Sequence, residues 1–131
     1  MKVVFDTNVL VAALVFPGGR GEEALQRILT ERDELVLSKA ILDELLGVLA
    51  RKFARDAEEL SRVAVLLGEV SSLAKPARRV SVLRDDPDNR ILECAAAARA
   101  DLIVTGDEAL LALGEFEGVR IVRLADYLRK D

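Results

Sequence analysis

Four short apolar runs punctuate the chain at wide intervals: residues 3–5 (VVF), 35–37 (LVL), 102–105 (LIVT) and 119–122 (VRIV). Each is β-branched or leucine-rich and bounded by turn-forming or polar residues, the pattern of a buried strand. The stretches between them repeat apolar residues at helical spacing. Residues 22–32 align Ala24, Leu25, Ile28 and Leu29, and residues 40–53 align Ile41, Leu42, Leu45, Leu49 and Phe53. A third helix is predicted over 57–73 from Leu60, Val63, Ala64 and Leu67, with Pro76 barring any continuation. A fourth, alanine-rich, is predicted over 89–99 after Pro87, and short helices after Asp107 and Leu124. The closing stretch LADYLRKD reads as amphipathic, with Leu124 and Leu128 inward.

Strands alternating with helices, and no Asn-Gly type turn between strands, predict a mainly parallel sheet covered on both faces, a three-layer α/β/α sandwich. The chain of 131 residues is long enough for one ordinary core, shows no repeat or linker, and is read as a single domain over 1–131. In such sheets ligands gather beyond the carboxyl ends of the strands, at the point where the strand order reverses. Residues that directly follow strands are therefore the ones to inspect. The first of them already poses a question: in MKVVFDTNVLVAAL the apolar run breaks at Asp6, Thr7 and Asn8 and resumes at once. A carboxylate at the end of a buried strand is costly unless a positive or hydrogen-bonding group meets it.

Composition narrows the chemistry. Hydrophobic residues make up 51% and charged ones 32%, a folded, soluble balance. The longest apolar run, residues 9–16, is too short to span a membrane, and the N-terminus lacks a secretion signal, so the expected location is the cytoplasm. The lone Cys94 is read as a buried thiol, excluding an intramolecular disulfide. Histidine is absent, which excludes Ser-His-Asp triads, His-mediated acid-base catalysis and ordinary zinc sites. Catalysis here must lean on carboxylates.

Asp6 and Asp107 each follow a strand, Glu44 borders the apolar stripe of the helix after the second strand, and Asp88 stands directly before the fourth helix in RDDPDNRILECA. Individually each has a plainer use: an Asx turn for Asp6, helix caps for Asp88 and Asp107, solvated surface for Glu44. Jointly they converge on one rim, where four carboxylates repel one another unless a divalent cation lies among them. Oxygen ligands with no nitrogen or sulfur partner select Mg2+ or Mn2+ and imply phosphoryl transfer, in which such an ion activates water and offsets charge on the leaving oxygen.

The succession FDTNVL, LSKAILDEL, DPDNRILECA and IVTGDEALL resembles the PIN-domain ribonucleases, in particular the bacterial and archaeal toxin components of toxin-antitoxin pairs, over nearly the whole chain. The resemblance implies that Asp6, Glu44, Asp88 and Asp107 are the catalytic, metal-binding acids and that the products carry 5′-phosphate and 3′-hydroxyl ends. It gives Thr7 and Asn8 a part in orienting a carboxylate or a metal-bound water, with Thr105 and Ser38 in similar supporting roles, Ser38 otherwise serving as a helix cap. It leaves Asp85 or Asp86 an outer role, and implies an RNA substrate, a small antitoxin over the acidic cleft and a homodimer.

PGGRGE follows no strand and lacks the Walker lysine, so it reads as a flexible loop and not a phosphate cradle. Arg20 within it, with Arg51, Lys52 and Arg55, are candidate RNA-backbone contacts or simply solvated charge. Net charge is −4 and aromatic content 4%, so neither global charge nor base stacking advertises nucleic-acid binding. A receiver domain would need an acidic pair after the first strand, and a haloacid-dehalogenase phosphatase an acid where Asn8 stands. A noncatalytic PIN-like RNA-binding or protein-interaction module is the remaining alternative.

Overall fold

The computed structural model describes residues 1–129. Strands β1 (Lys2–Phe5), β2 (Glu34–Leu37), β3 (Ser71–Leu73), β4 (Leu102–Val104), β5 (Glu115–Phe116) and β6 (Val119–Val122) form one sheet in the order β3-β2-β1-β4-β6-β5. Every pairing is parallel except β5 with β6. Val3, Val4 and Phe5 are all fully buried, and because successive strand side chains point to opposite faces, both faces of the sheet are covered. The predicted α/β/α sandwich is therefore what forms.

The connecting helices are α1 (Thr7–Val15), α2 (Arg20–Leu29), α3 (Lys39–Phe53), α4 (Ala57–Val70), α5 (Asp86–Ala98), α6 (Glu108–Leu113) and α7 (Leu124–Leu128). The last two residues of LADYLRKD lie outside the described residues. Ser38 caps α3, its Oγ accepting from the Ile41 N–H at 3.3 Å, and Asp56 caps α4 by accepting from Glu59 N–H at 2.9 Å.

Three elements differ from the sequence expectation. Helix α1 is not visible as a stripe because Val9, Leu10, Val11 and Ala13 are buried nearly all round, which erases the polar face that periodicity needs. The end of the helix predicted over 57–73 is instead β3, an edge strand that breaks away at Ser71, where Ser71 Oγ donates to the Leu67 carbonyl at 2.5 Å. The hairpin β5–β6 turns on Glu117 and Gly118, both at positive φ (50° and 86°), a two-residue turn that glycine favours at its second position.

Beneath the sheet, Tyr127 of α7 packs edge-on against Phe5 at 5.7 Å and donates its hydroxyl proton to Asp33 at 2.6 Å, so the final helix is locked to the chain between α2 and β2. Helices α1 and α2 press together at Gly21, where a Cβ would stand 2.6 Å from the Ala13 nitrogen and 2.8 Å from the Ala12 carbonyl carbon. Backbone cannot yield as a flexible side chain can. Gly21→Ala should therefore destabilise the protein by roughly 1–3 kcal/mol, read as a lowered urea midpoint at unchanged slope; an unchanged midpoint would show that the helices slide apart without cost.

Candidate active site

The order of strands reverses at β1: the chain steps outward through β2 and β3, then returns to add β4 on the other side. The crevice of this sheet consequently opens at the carboxyl ends of β1 and β4. Asp6 follows β1 directly, and its N–H continues the ladder onto the Val104 carbonyl at 3.0 Å. Its carbonyl starts α1 by accepting from Val9 and Leu10, while its buried side chain makes no cap bond and is left to face the crevice.

Thr105, the first residue beyond β4, is fully buried and joins the two strand ends. Its hydroxyl donates to Asp6 Oδ2 at 2.6 Å and accepts from the Asp107 N–H at 2.9 Å. Asp107 in turn caps α6, its Oδ1 accepting from Leu110 N–H at 3.0 Å, so its plainer use as a cap and its place on the rim coexist.

Asp88 is not in front of its helix, as expected from sequence, but inside the first turn of α5. The helix begins at Asp86, with Asp85 at the N-cap, because Pro87 is tolerated in a first turn whose N–H groups have no helical partner. That shift carries the Asp88 carboxyl inward until only 6% of the residue is exposed. Its Oδ2 is buried with no hydrogen-bond donor.

The carboxyls feel one another. Asp88 is pushed up to about 7, first by burial and then by the charges of Asp107 and Asp6, by a proton it can share with Asp107, and by Asp85. Asp6 is raised by burial and by Asp107, against the opposing hydrogen bond from Thr105 and the N–H groups of Asn8 and Thr7. Glu44, on the second turn of α3, is raised by partial burial and by Asp6 and Asp85, with Arg51 opposing. All four predicted acids thus share one electrostatic neighbourhood, and Asp85 joins as a fifth. Among the described residues, no three His, Cys, Asp or Glu side chains form, as placed, a group that could hold a metal ion. The orphaned oxygen and the all-oxygen donor set nevertheless fit a hard divalent cation.

The supporting residues divide. Thr7 and Asn8 reach Asp6 through their main-chain N–H groups. The Thr7 side chain is buried and that of Asn8 exposed, and neither makes a side-chain hydrogen bond to Asp6 among the described residues. Arg51 lies near Glu44, its guanidinium folded over Gly47. Arg55 is engaged by Glu59 at 3.0 Å, and Arg20 and Lys52 are exposed with no recorded contact to the carboxylates. Cys94 is buried and its thiol pushed up to about 12 by that burial, which makes it unreactive.

Sequence reasoning did not find the strap formed by residues 74–85. Asn89 pins it by accepting from the Val82 and Leu83 N–H groups at 3.1 and 2.8 Å and donating back to the Leu83 carbonyl at 2.8 Å. Glu93 accepts from Val80 N–H at 2.6 Å, and Arg90 donates to the Val80 carbonyl at 2.9 Å. Only the cluster of polar residues on an otherwise apolar helix hinted at it.

A model of the PIN domain matches residues 2–109. The chain belongs to the PIN-domain family. An uncharacterised protein of Methanocaldococcus jannaschii is 32% identical over 117 residues, covering 86% of this chain and 75% of that protein. Among solved structures, this PIN domain superposes on VapBC2 from Rickettsia felis, bound to a promoter DNA fragment, with a TM-score of 0.68 at 15% identity, covering 94% of this chain and 98% of that one. VapBC-1 from nontypeable Haemophilus influenzae gives 0.63 at 16% identity, covering 95% and 99%. FitAB bound to a DNA fragment gives 0.61 at 15%, covering 98% and 97%. At such identities the likeness is one of fold.

Asp6, Glu44 and Asp88 hold protons more tightly in the fold than in an unfolded chain. Their contribution to stability is therefore present at acid pH and lost as pH rises from the ordinary aspartate value of 3.8 through about 7, where Asp88 ionises. In a chelating buffer, the stability of wild type relative to Asp88→Asn should fall across that window, measured by urea unfolding at successive pH values. A relative stability that is flat or rises would mean that Asp88 ionises without hindrance.

Proposed function

We propose that this PIN domain is a Mg2+- or Mn2+-dependent ribonuclease that hydrolyses phosphodiester bonds in RNA and serves as the toxin of a toxin-antitoxin pair. One observation carries the reading: a buried carboxylate oxygen, Asp88 Oδ2, with no donor, set among the charges of Asp6, Asp107 and Asp85. A cation relieves that repulsion and satisfies that oxygen together, and carboxylates without nitrogen or sulfur partners favour hard ions. When bound, the ion supplies an activated water and stabilises charge on the leaving oxygen.

The residues then take distinct parts. Asp6, Asp88 and Asp107 hold the ion. Thr105 fixes the Asp6 carboxylate by its short hydrogen bond and ties Asp107 to the same hydroxyl. Glu44, its pKa raised by partial burial and by Asp6 and Asp85, orients the attacking water or shares in holding a second ion. Cleavage in line with the 3′ oxygen leaves 5′-phosphate and 3′-hydroxyl ends. Thr7 and Asn8 stabilise Asp6 through the main chain, and Arg51, with Arg20 and Lys52, contacts the RNA backbone. The similarity to VapBC and FitAB complexes supports an antitoxin partner and a homodimer. No described helix is long and apolar enough to cross a membrane.

Asp6→Asn should reduce Mg2+-dependent cleavage of labelled RNA to background. The same variant should unfold at an equal or higher urea concentration in chelator, since it deletes a repelling charge. Undiminished cleavage by this variant, or RNA that the wild type binds and leaves whole in Mg2+ and in Mn2+, would overturn the nuclease reading.

A further inference from the structure

Beside the carboxylates, at the carboxyl ends of β2 and β3, lies a separate cavity of about 380 Å³. Basic residues reach it from three elements, Lys39 at the start of α3, Lys75 and Arg79 on the strap and Arg90 on α5, while Leu73, Ala74 and Pro76 give it an apolar wall and Glu93 is the one acid of the lining. Glu93 is already engaged by Val80 N–H at 2.6 Å and by Arg90 at 2.8 Å. Lys39 meets Asp43 at 2.7 Å and Arg79 meets Asp86 at 4.0 Å, but these pairs are solvent-exposed and exchange partners at little cost. Lys75 has no ion-pair partner among the described residues. Arg90 is largely buried and already committed, donating to the Val80 carbonyl at 2.9 Å and meeting Glu93 at 2.8 Å, with its Nε out of reach of the cavity.

The exposed cations Lys75 and Arg79, with Lys39 and the amino-terminal N–H groups of the fifteen-residue helix α3, together describe a place for an anion. Its position says which. Parallel strands lie about 4.8 Å apart, so the step from the β1/β4 crevice to the β2/β3 ends is about 10 Å along one rim. We infer that this cavity holds a phosphodiester of the cleaved RNA strand about two linkages from the scissile one, gripped by Lys75 and Arg79. The strap pinned by Asn89, Arg90 and Glu93 thus has a use: it carries two of the cations to the rim. This inference rests on the ribonuclease reading for the identity of the strand, but not on catalysis for its test.

The experiment uses the full chain and a fluorescein-labelled single-stranded RNA oligonucleotide, with binding followed by anisotropy in chelator across a salt series. Lys75→Ala/Arg79→Ala, at two exposed positions, should weaken binding about fivefold at about 0.1 M salt and lower the slope of log affinity on log salt by about 0.7, one phosphate contact on a single strand. Lys75→Arg/Arg79→Lys, which retains both charges, should bind as wild type does. Unchanged affinity and slope in the alanine variant would overturn the inference while leaving metal-dependent cleavage to stand. Loss of the contact in a protein that never cleaves would uphold the cavity and fail the nuclease. Inorganic phosphate that raises the melting temperature of the wild type, yet does not compete with RNA at matched ionic strength, would assign the cavity to a free anion and overturn the inference.

Discussion

One hydroxyl group governs the acidic rim. Thr105 gives its proton to Asp6 and accepts the N–H of Asp107, so a single buried oxygen joins the end of β1 to the beginning of α6. Without it, two like charges would face each other across the crevice with nothing to fix their orientation. With it, Asp6 keeps a charge-assisted bond that opposes the upward push of burial. The remaining carboxyls, on α3 and α5, approach a centre whose position those two strand ends have already set.

Such a centre opposes folding, and the stabilising contacts lie elsewhere. The central strands are buried on both faces, and the ring of Tyr127 is packed between Phe5 and the guanidinium of Arg27, with its hydroxyl on Asp33. These contacts belong to the core and to the segment before β2. They hold the molecule together while the carboxylates stay electrostatically unfavourable.

Much of this was legible in the amino-acid sequence, and the reasons for success and failure are physical. The strands predicted at 3–5, 35–37, 102–105 and 119–122 were readable because apolar runs buried on both faces have no other use at that length, and only Thr105 falls outside the strand observed. Placing acids directly after strands was readable because a parallel sheet gathers those positions on one rim. Helix α1 was hidden by burial nearly all round, and β3 by the serines that make a poor strand signal at an edge. The depth of Asp88, the closeness of Asp85 and the strap on α5 depend on how α5 docks, which no local pattern encodes. Thr105 was marked as a supporting residue, but its double role as donor and acceptor needed the geometry.

The ladder between β1 and β4 has a longer reach than its few bonds suggest. Asp6 N–H meets the Val104 carbonyl at 3.0 Å, so the gap between the two strand ends is measured out by amide groups, which every residue but proline possesses. Lineages can exchange nearly all their side chains and keep that interval intact. Superposition at 15% identity with a TM-score of 0.68 is what such a main-chain ruler permits.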